Sequence, residues 1–303
     1  MGSDTGRFQE GTMTGGHKLL IIGGVLAFLV LSAAAVAGGI YLLRGEGLRL
    51  ADGRVALVTV EDVILNARPI VDQIRRFDRD TSVKAIVIRL DTPGGGVAPS
   101  QEIYEAVRAV EKPVVVSMGS VAASGGYYIA CAADKVLANP GTLTGSIGVI
   151  MEFANVEGLL SKIGVKSTVV KSGEHKDIGS ATREMTAEER KILMQVIDDV
   201  HSQFIEAIVK GRKLPEADVR ALADGRIFTG RQALDLKLVD GLATLQEAIK
   251  EAGEMGGIEG EPRVVEERKE VTFFNLLNGT FLGRLVSRPA GHKIVNLQYI
   301  ASF

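Results

Sequence analysis

The chain has 303 residues, 46% of them hydrophobic and 24% charged, with a net charge of −2. That is too apolar for a disordered chain and offers no basic footprint for nucleic acid. The single cysteine, Cys131, excludes an internal disulfide and a cysteine-rich zinc site, and the four histidines (His17, His175, His201, His292) show no metal-binding spacing.

A polar tail, residues 1–18, precedes 25 residues without a charge, Leu19 to Leu43. As a helix this run would extend roughly 37 Å at about 1.5 Å per residue, enough to cross a bilayer with some tilt. A cleavable signal peptide ending at Ala35-Val36-Ala37 is the alternative, but the apolar run continues past that point, so an anchor is expected. Arg7 and Lys18 on one side face Arg44, Arg49 and Arg54 on the other, so charge does not orient the span.

Residues 44–54 read as a linker to a soluble domain over 55–255. Within it Arg54–Val60, Val83–Leu90, Pro113–Met118 and Lys135–Ala138 are rich in valine and isoleucine and are expected as buried strands. Ile70–Phe77 and Ser100–Val110 carry apolar residues at helical spacing, and Ala122–Ala133 reads as a helix of small residues. The alternation predicts an α/β domain. Thr186-x-x-Glu189 fits a capping box opening a helix to about Lys210, with Ile192, Val196, Val200, Phe204 and Ile208 as a core-facing stripe. Gly253–Gly260 reads as a flexible boundary, and 256–303 as an extension that pattern does not assign.

Two glycine-rich strand ends are candidates for chemistry. Asp91-Thr92-Pro93-Gly94-Gly95-Gly96 can expose amide N–H groups to an anion or a developing oxyanion, although a Pro-Gly turn is also an ordinary structural device. After the strand Pro113–Met118, Gly119–Ala123 leads to Ser124-Gly125-Gly126. Ser124 is either the N-cap of the next helix or an accessible nucleophile with the Gly125 amide beside it. For a base, His175 and His201 are candidates by type, and Lys176 competes from the polar loop Lys171–Ser180, where a lysine would otherwise be a solvated surface charge.

These segments, with Tyr127-Tyr128-Ile129-Ala130, Ala138-Asn139-Pro140, Thr144-Gly145-Ser146-Ile147-Gly148-Val149 and Phe228-Thr229-Gly230-Arg231-Gln232-Ala233, resemble the short, single-catalytic-domain form of the signal peptide peptidase A family. These are membrane-bound bacterial serine proteases of the Clp/crotonase superfamily. The resemblance covers Val55 to Ala248. It implies a Clp/crotonase-like α/β fold of repeated ββα units behind one N-terminal transmembrane helix. It further implies a Ser/Lys dyad of Ser124 and Lys176, with Ser146 aiming the lysine and the Gly95 and Gly125 amides as oxyanion hole. No cofactor or metal is implied. Implied partners are peptide substrates such as signal-peptide remnants, the lipid bilayer, and further copies of the chain in a homo-oligomer with the site shared between protomers; nucleic acid is not among them. The implied location is the bacterial cytoplasmic membrane with the catalytic domain outside. A peptidase acting on stomatin-like partners, or a crotonase-fold acyl-CoA enzyme, are the alternative readings.

Overall fold

A computed structural model of the chain describes residues 27–36, 53–267 and 298–301. The chain divides into two units, Met1–Leu50 and Ala51–Phe303. In the first, residues 27–36 are helical, and Phe28, Leu29, Val30, Leu31 and Val36 are all exposed. The rest of the expected span from Leu19 to Leu43 lies outside the described residues. Among the described residues no helix is long and apolar enough to cross a membrane.

The second unit runs β1 (Arg54–Glu61), α1 (Arg68–Arg79), β2 (Val83–Thr92), β3 (Gly94–Gly96), α2 (Val97–Arg108), β4 (Val114–Ala123), α3 (Gly125–Ala130), β5 (Lys135–Ala138), β6 (Leu143–Gly145) and α4 (Glu157–Lys162). It continues through α5 (Ala187–Arg212), α6 (Glu216–Leu222), β7 (Ile227–Thr229), α7 (Gly230–Asp235), β8 (Gly241–Leu242), α8 (Leu245–Met255), β9 (Arg263–Glu266) and β10 (Gln298–Ile300). The valine- and isoleucine-rich runs are strands because both faces of the sheet are covered. Along β1, Ala56, Val58 and Val60 face one core with Ile74, Ile103 and Phe204, while Val55 and Leu57 face another with Ala248, Ile249 and Ala252 of α8. That is the two-residue alternation of a strand buried on both sides.

β2 pairs in parallel with both β1 and β4, and β5 and β6 each pair in parallel with β4. β4 serves two neighbours because its halves differ: Val115–Ser117 lie beside β5, and Val121–Ala123 lie beside β6. The join between them is held by side chains. The Asp91 carboxylate accepts from the Val121 amide at 3.1 Å, and the hydroxyls of Thr142 and Thr144 donate to the carbonyls of Gly119 and Ala122, each at 2.7 Å.

This corrects the expected helix Ala122–Ala133. Ala122 and Ala123 remain in the strand, and α3 begins only at Gly125. The sequence of small residues suited close packing in either geometry, and the ladder to β6 decided it. The capping box at Thr186 and Glu189 is present as expected. The stripe along α5 holds only in its second half: Val200, Phe204 and Ile208 are buried, whereas Val196 is 42% exposed because the first half of the helix runs beyond the core. Gly253 is buried in α8 and Ile258 is buried after it, so this stretch packs on the core. Beyond residue 255, β9 pairs in parallel with β1, and β10 pairs antiparallel with β3.

Candidate active site

Ser124 is the single residue between β4 and α3, and its backbone is unusual. It has φ 54° and ψ −116°, a left-handed conformation that residues with a Cβ rarely adopt and that costs about 1–3 kcal/mol. Two bonds hold it there: its N–H donates to Gly145 O at 2.8 Å, and its carbonyl accepts from Tyr128 N–H at 2.8 Å. The hydroxyl does not cap α3, so the capping alternative for this serine fails on geometry. Ser124 is 1% exposed, and its Oγ is buried without a hydrogen-bond partner. A buried hydroxyl is ordinarily paired, and leaving one unpaired costs free energy that packing must offset.

The glycine loop closes over the same point. Gly94 has φ 101°, and a Cβ there would stand 2.7 Å from the Gly125 amide nitrogen. A Cβ on Gly125 would meet Ser100 Oγ at 2.5 Å and Gly95 N at 3.3 Å, so only glycine lets the two amides approach this closely. Sequence reading passed over two residues that shape this loop. The Thr92 hydroxyl bonds the Asp62 carbonyl and accepts from Gly94 N–H at 3.1 Å, while the Ser100 hydroxyl donates to Gly96 O at 2.9 Å. Their signal was a short hydroxyl residue on each side of the glycines.

Ser146 follows Gly145, whose carbonyl receives the Ser124 amide. It too has a positive φ, 50°, held by its N–H donating to Arg226 O at 2.8 Å. It opens onto a cavity of about 390 Å³ shared with Ile150, His201, Asp224, Ile300 and Ala301. His201 Nε2 is buried there without a partner. His175, the other histidine considered, is exposed in the lysine loop. Cys131 is no rival nucleophile, since burial pushes its thiol up to about 12 and away from the reactive thiolate. Among the described residues no group of three or more His, Cys, Asp or Glu is placed to hold a metal ion.

Lys176 is not brought to Ser124 within the chain: it is exposed, and Ser124 Oγ has no partner. Its loop is nonetheless ordered by ion pairs that sequence reading missed. Asp177 accepts from Lys171 Nζ at 2.6 Å and from Arg183 Nε at 2.9 Å, and Arg183 also pairs with Glu189 of the α5 capping box. Hydrogen bonds from Arg183 and Lys171 hold the Asp177 carboxyl well below the usual range, and those from Arg183 and Thr186 bring Glu189 down to about 2. The network ties the turn carrying Lys176 to the start of α5. The signal was present as alternating charges at Lys171, Asp177, Arg183 and Glu189, but spacing alone does not say which of them pair.

Parallel strands covered by helices on both faces, together with a match of residues 49–143 to Clp protease, define a Clp-protease-like α/β domain. Residues 106–259 match Peptidase family S49. The chain belongs to that family of serine-type endopeptidases. It is 30% identical over 304 residues to a putative signal peptide peptidase SppA of Enterococcus faecium, covering 99% of this chain and 87% of that protein. A putative protease of Synechocystis is 48% identical over 177 residues, 58% of this chain and 64% of its own length. Protease 4 of Salmonella typhi is 40% identical over 186 residues, 60% of this chain but 30% of its own length.

Proposed function

We propose that the chain is a membrane-anchored serine endopeptidase in which Ser124 is the nucleophile and Lys176, supplied by a neighbouring copy, is the general base. The observation that carries this reading is the buried, unpartnered Ser124 hydroxyl on a strained turn, with the Gly95 and Gly125 backbones gathered beside it. Strain of this kind persists where it aims a reactive group.

In the reaction, Ser124 Oγ attacks the peptide carbonyl carbon while neutral Lys176 takes its proton, and the oxyanion accepts from the Gly95 and Gly125 amides. The lysinium returns that proton to the departing amine as the C–N bond breaks, leaving an acyl ester on Ser124. Water, deprotonated by Lys176, then attacks the ester, and the proton returns to Ser124 as the acid leaves. Ser146, adjoining Gly145 and lining the neighbouring cavity, aims the lysine amine.

An exposed Lys176 fits this scheme only if another subunit covers its loop, since desolvation disfavours the ammonium form. Exposed Leu159, Ile163, Val169 and Val170 beside the loop offer apolar surface for such a contact. Membrane attachment rests on the apolar exposed helix 27–36 within the uncharged run Leu19–Leu43, and the catalytic domain would lie outside the cytoplasmic membrane. Small residues around the serine, and a relative named as a signal peptide peptidase, favour apolar peptides such as signal-peptide remnants as substrates.

A fluorophosphonate probe tests the reading. Wild-type protein should be labelled at Ser124 and should hydrolyse a fluorogenic peptide. A protein that carries no label and turns over no peptide would reject it, and acyl-CoA turnover without labelling would favour a crotonase-type enzyme.

A further inference from the structure

One buried polar atom is left over by the mechanism. His201 lies on α5 one turn after Ile197, and both line the cavity onto which Ser146 opens. Ile205, one turn further along the same face, is buried in the core. An apolar side chain between them would pack as well, yet the residue is a histidine whose Nε2 is buried without a hydrogen-bond partner. Three side-chain atoms are in that state among the described residues. Ser124 Oγ is the proposed nucleophile, and Arg212 Nε belongs to a guanidinium already bonded to Asp240 at 2.9 and 2.6 Å. His201 alone of the three has no account.

A histidine ring is ordinarily fixed, in orientation and tautomer, by the bond one of its nitrogens makes. Nothing in the chain bonds Nε2 here, so the ring is open to a partner that enters the cavity.

The lining says what that partner is. Its polar side chains are those of Ser146, His201 and Asp224, set among apolar residues such as Val149 and Ile197. Asp224 is already engaged: Arg226 Nε donates to its two oxygens at 2.7 and 2.9 Å, and these bonds bring the carboxyl down to about 2. What remains is a hydroxyl and an imidazole nitrogen, both able to accept. An amine that becomes an ammonium carries three N–H donors and no acceptor. On the peptidase reading, the Lys176 amine of a neighbouring copy comes to Ser146 and takes the Ser124 proton, and each of its three N–H groups then needs an acceptor away from water. Ser124 Oγ and Ser146 Oγ serve two of them.

We infer that His201 serves the third and is a positioning residue for the base: with its own proton on Nδ1, its Nε2 accepts one N–H of the Lys176 amine beside Ser146 and stabilises the lysinium formed as Ser124 attacks. The inference rests on the peptidase reading above. No proton passes through the imidazole, which accepts the same bond before and after the transfer.

The test uses the full-length chain in detergent with a fluorogenic peptide. It compares His201→Leu with His201→Gln, whose side-chain carbonyl oxygen can stand where Nε2 does. An acceptor stabilises the ammonium more than the amine, so its removal disfavours the charged form. His201→Leu should therefore lower the plateau kcat about five-fold with KM within about two-fold, and should move the alkaline rise of kcat to lower pH by about half a unit. His201→Gln should restore both. Asp224, the other ionisable side chain lining the cavity, is a carboxylate throughout that range and adds no limb of its own. No change in His201→Leu, or a fall in kcat in both variants with the rise unmoved, would overturn the inference while Ser124 labelling keeps the peptidase reading. A loss in both variants as large as in Lys176→Ala would make His201 the base, and would overturn the inference together with the lysine assignment. A double variant closes the argument. Adding His201→Leu to Lys176→Ala should leave the rate of phosphonate labelling unchanged, since the histidine acts only through the lysine. A further fall would overturn the inference.

Discussion

The turn at Ser124 and the loop at Lys176 are built by opposite means. The first is backbone geometry: a residue at positive φ, locked by hydrogen bonds from its N–H to Gly145 O and from Tyr128 N–H to its carbonyl, and buried among glycines and alanines. The second is side-chain electrostatics: an exposed turn tied down by Lys171, Asp177, Arg183 and Glu189, with Lys176 itself outside the network. One chain therefore completes the proposed nucleophile and leaves the proposed base in water. Strain can be stored only where packing over-determines the backbone, whereas a loop held by ion pairs can be presented to a second subunit without disturbing the core.

The sharpest way to break this comparison is to remove each half. Ser124→Ala and Lys176→Ala should each reduce kcat/KM about a thousand-fold or more while circular dichroism and assembly are unchanged. If the halves meet between copies, the two inactive proteins unfolded and reassembled together should recover part of the activity, since some interfaces then pair an intact Ser124 with an intact Lys176. Mixed oligomers, verified by mass spectrometry, that show no recovery would place both residues in one chain. His201→Ala tests a rival already at the Ser146 cavity, and it should retain activity to within about ten-fold if lysine is the base.

Loosening the loop should have an intermediate effect. Arg183→Ala removes the link between Asp177 and Glu189 and should lower kcat about ten-fold by letting the lysine wander, with a smaller change in KM. Unchanged kinetics would mean that the ion pairs only solubilise the loop.

On the serine side, Ser124→Gly should be more stable than Ser124→Ala by about 1 kcal/mol, because glycine adopts φ near 54° without strain. Thermal unfolding of the two inactive variants reads this directly, and equal midpoints would remove the strain argument. The smallest effect is on acidification. Glu189 is depressed from the ordinary 4.5 to about 2, so its contribution is present above about pH 4.5 and is lost as pH falls toward 2. Hydrogen exchange over residues 171–186 should accelerate across that window before exchange in β1 and β2 does; simultaneous loss would show that the loop has no separate stability.

Several features were legible without coordinates because their causes are local. Hydrophobic runs such as Val83–Leu90 admit little but a buried strand, Thr186 and Glu189 lie three apart and cap one another, and glycines at 94–96 and 125–126 announce close backbone approach. Ser124 was singled out by its position after a strand and before two glycines. What tertiary structure alone decided depends on partners distant in sequence. Ala122 and Ala123 are strand because Thr144 and Gly145 pair with them, and Val196 is exposed because the core ends beneath α5. Ser124 takes a left-handed backbone because Gly145 holds its amide. Tyr299 lies in a stretch with no periodicity to read, and only its pairing with Gly95, 204 positions away, places it in the fold. Propensity and spacing act over a few residues, whereas register, burial and backbone strain are set by whichever surfaces the fold brings together.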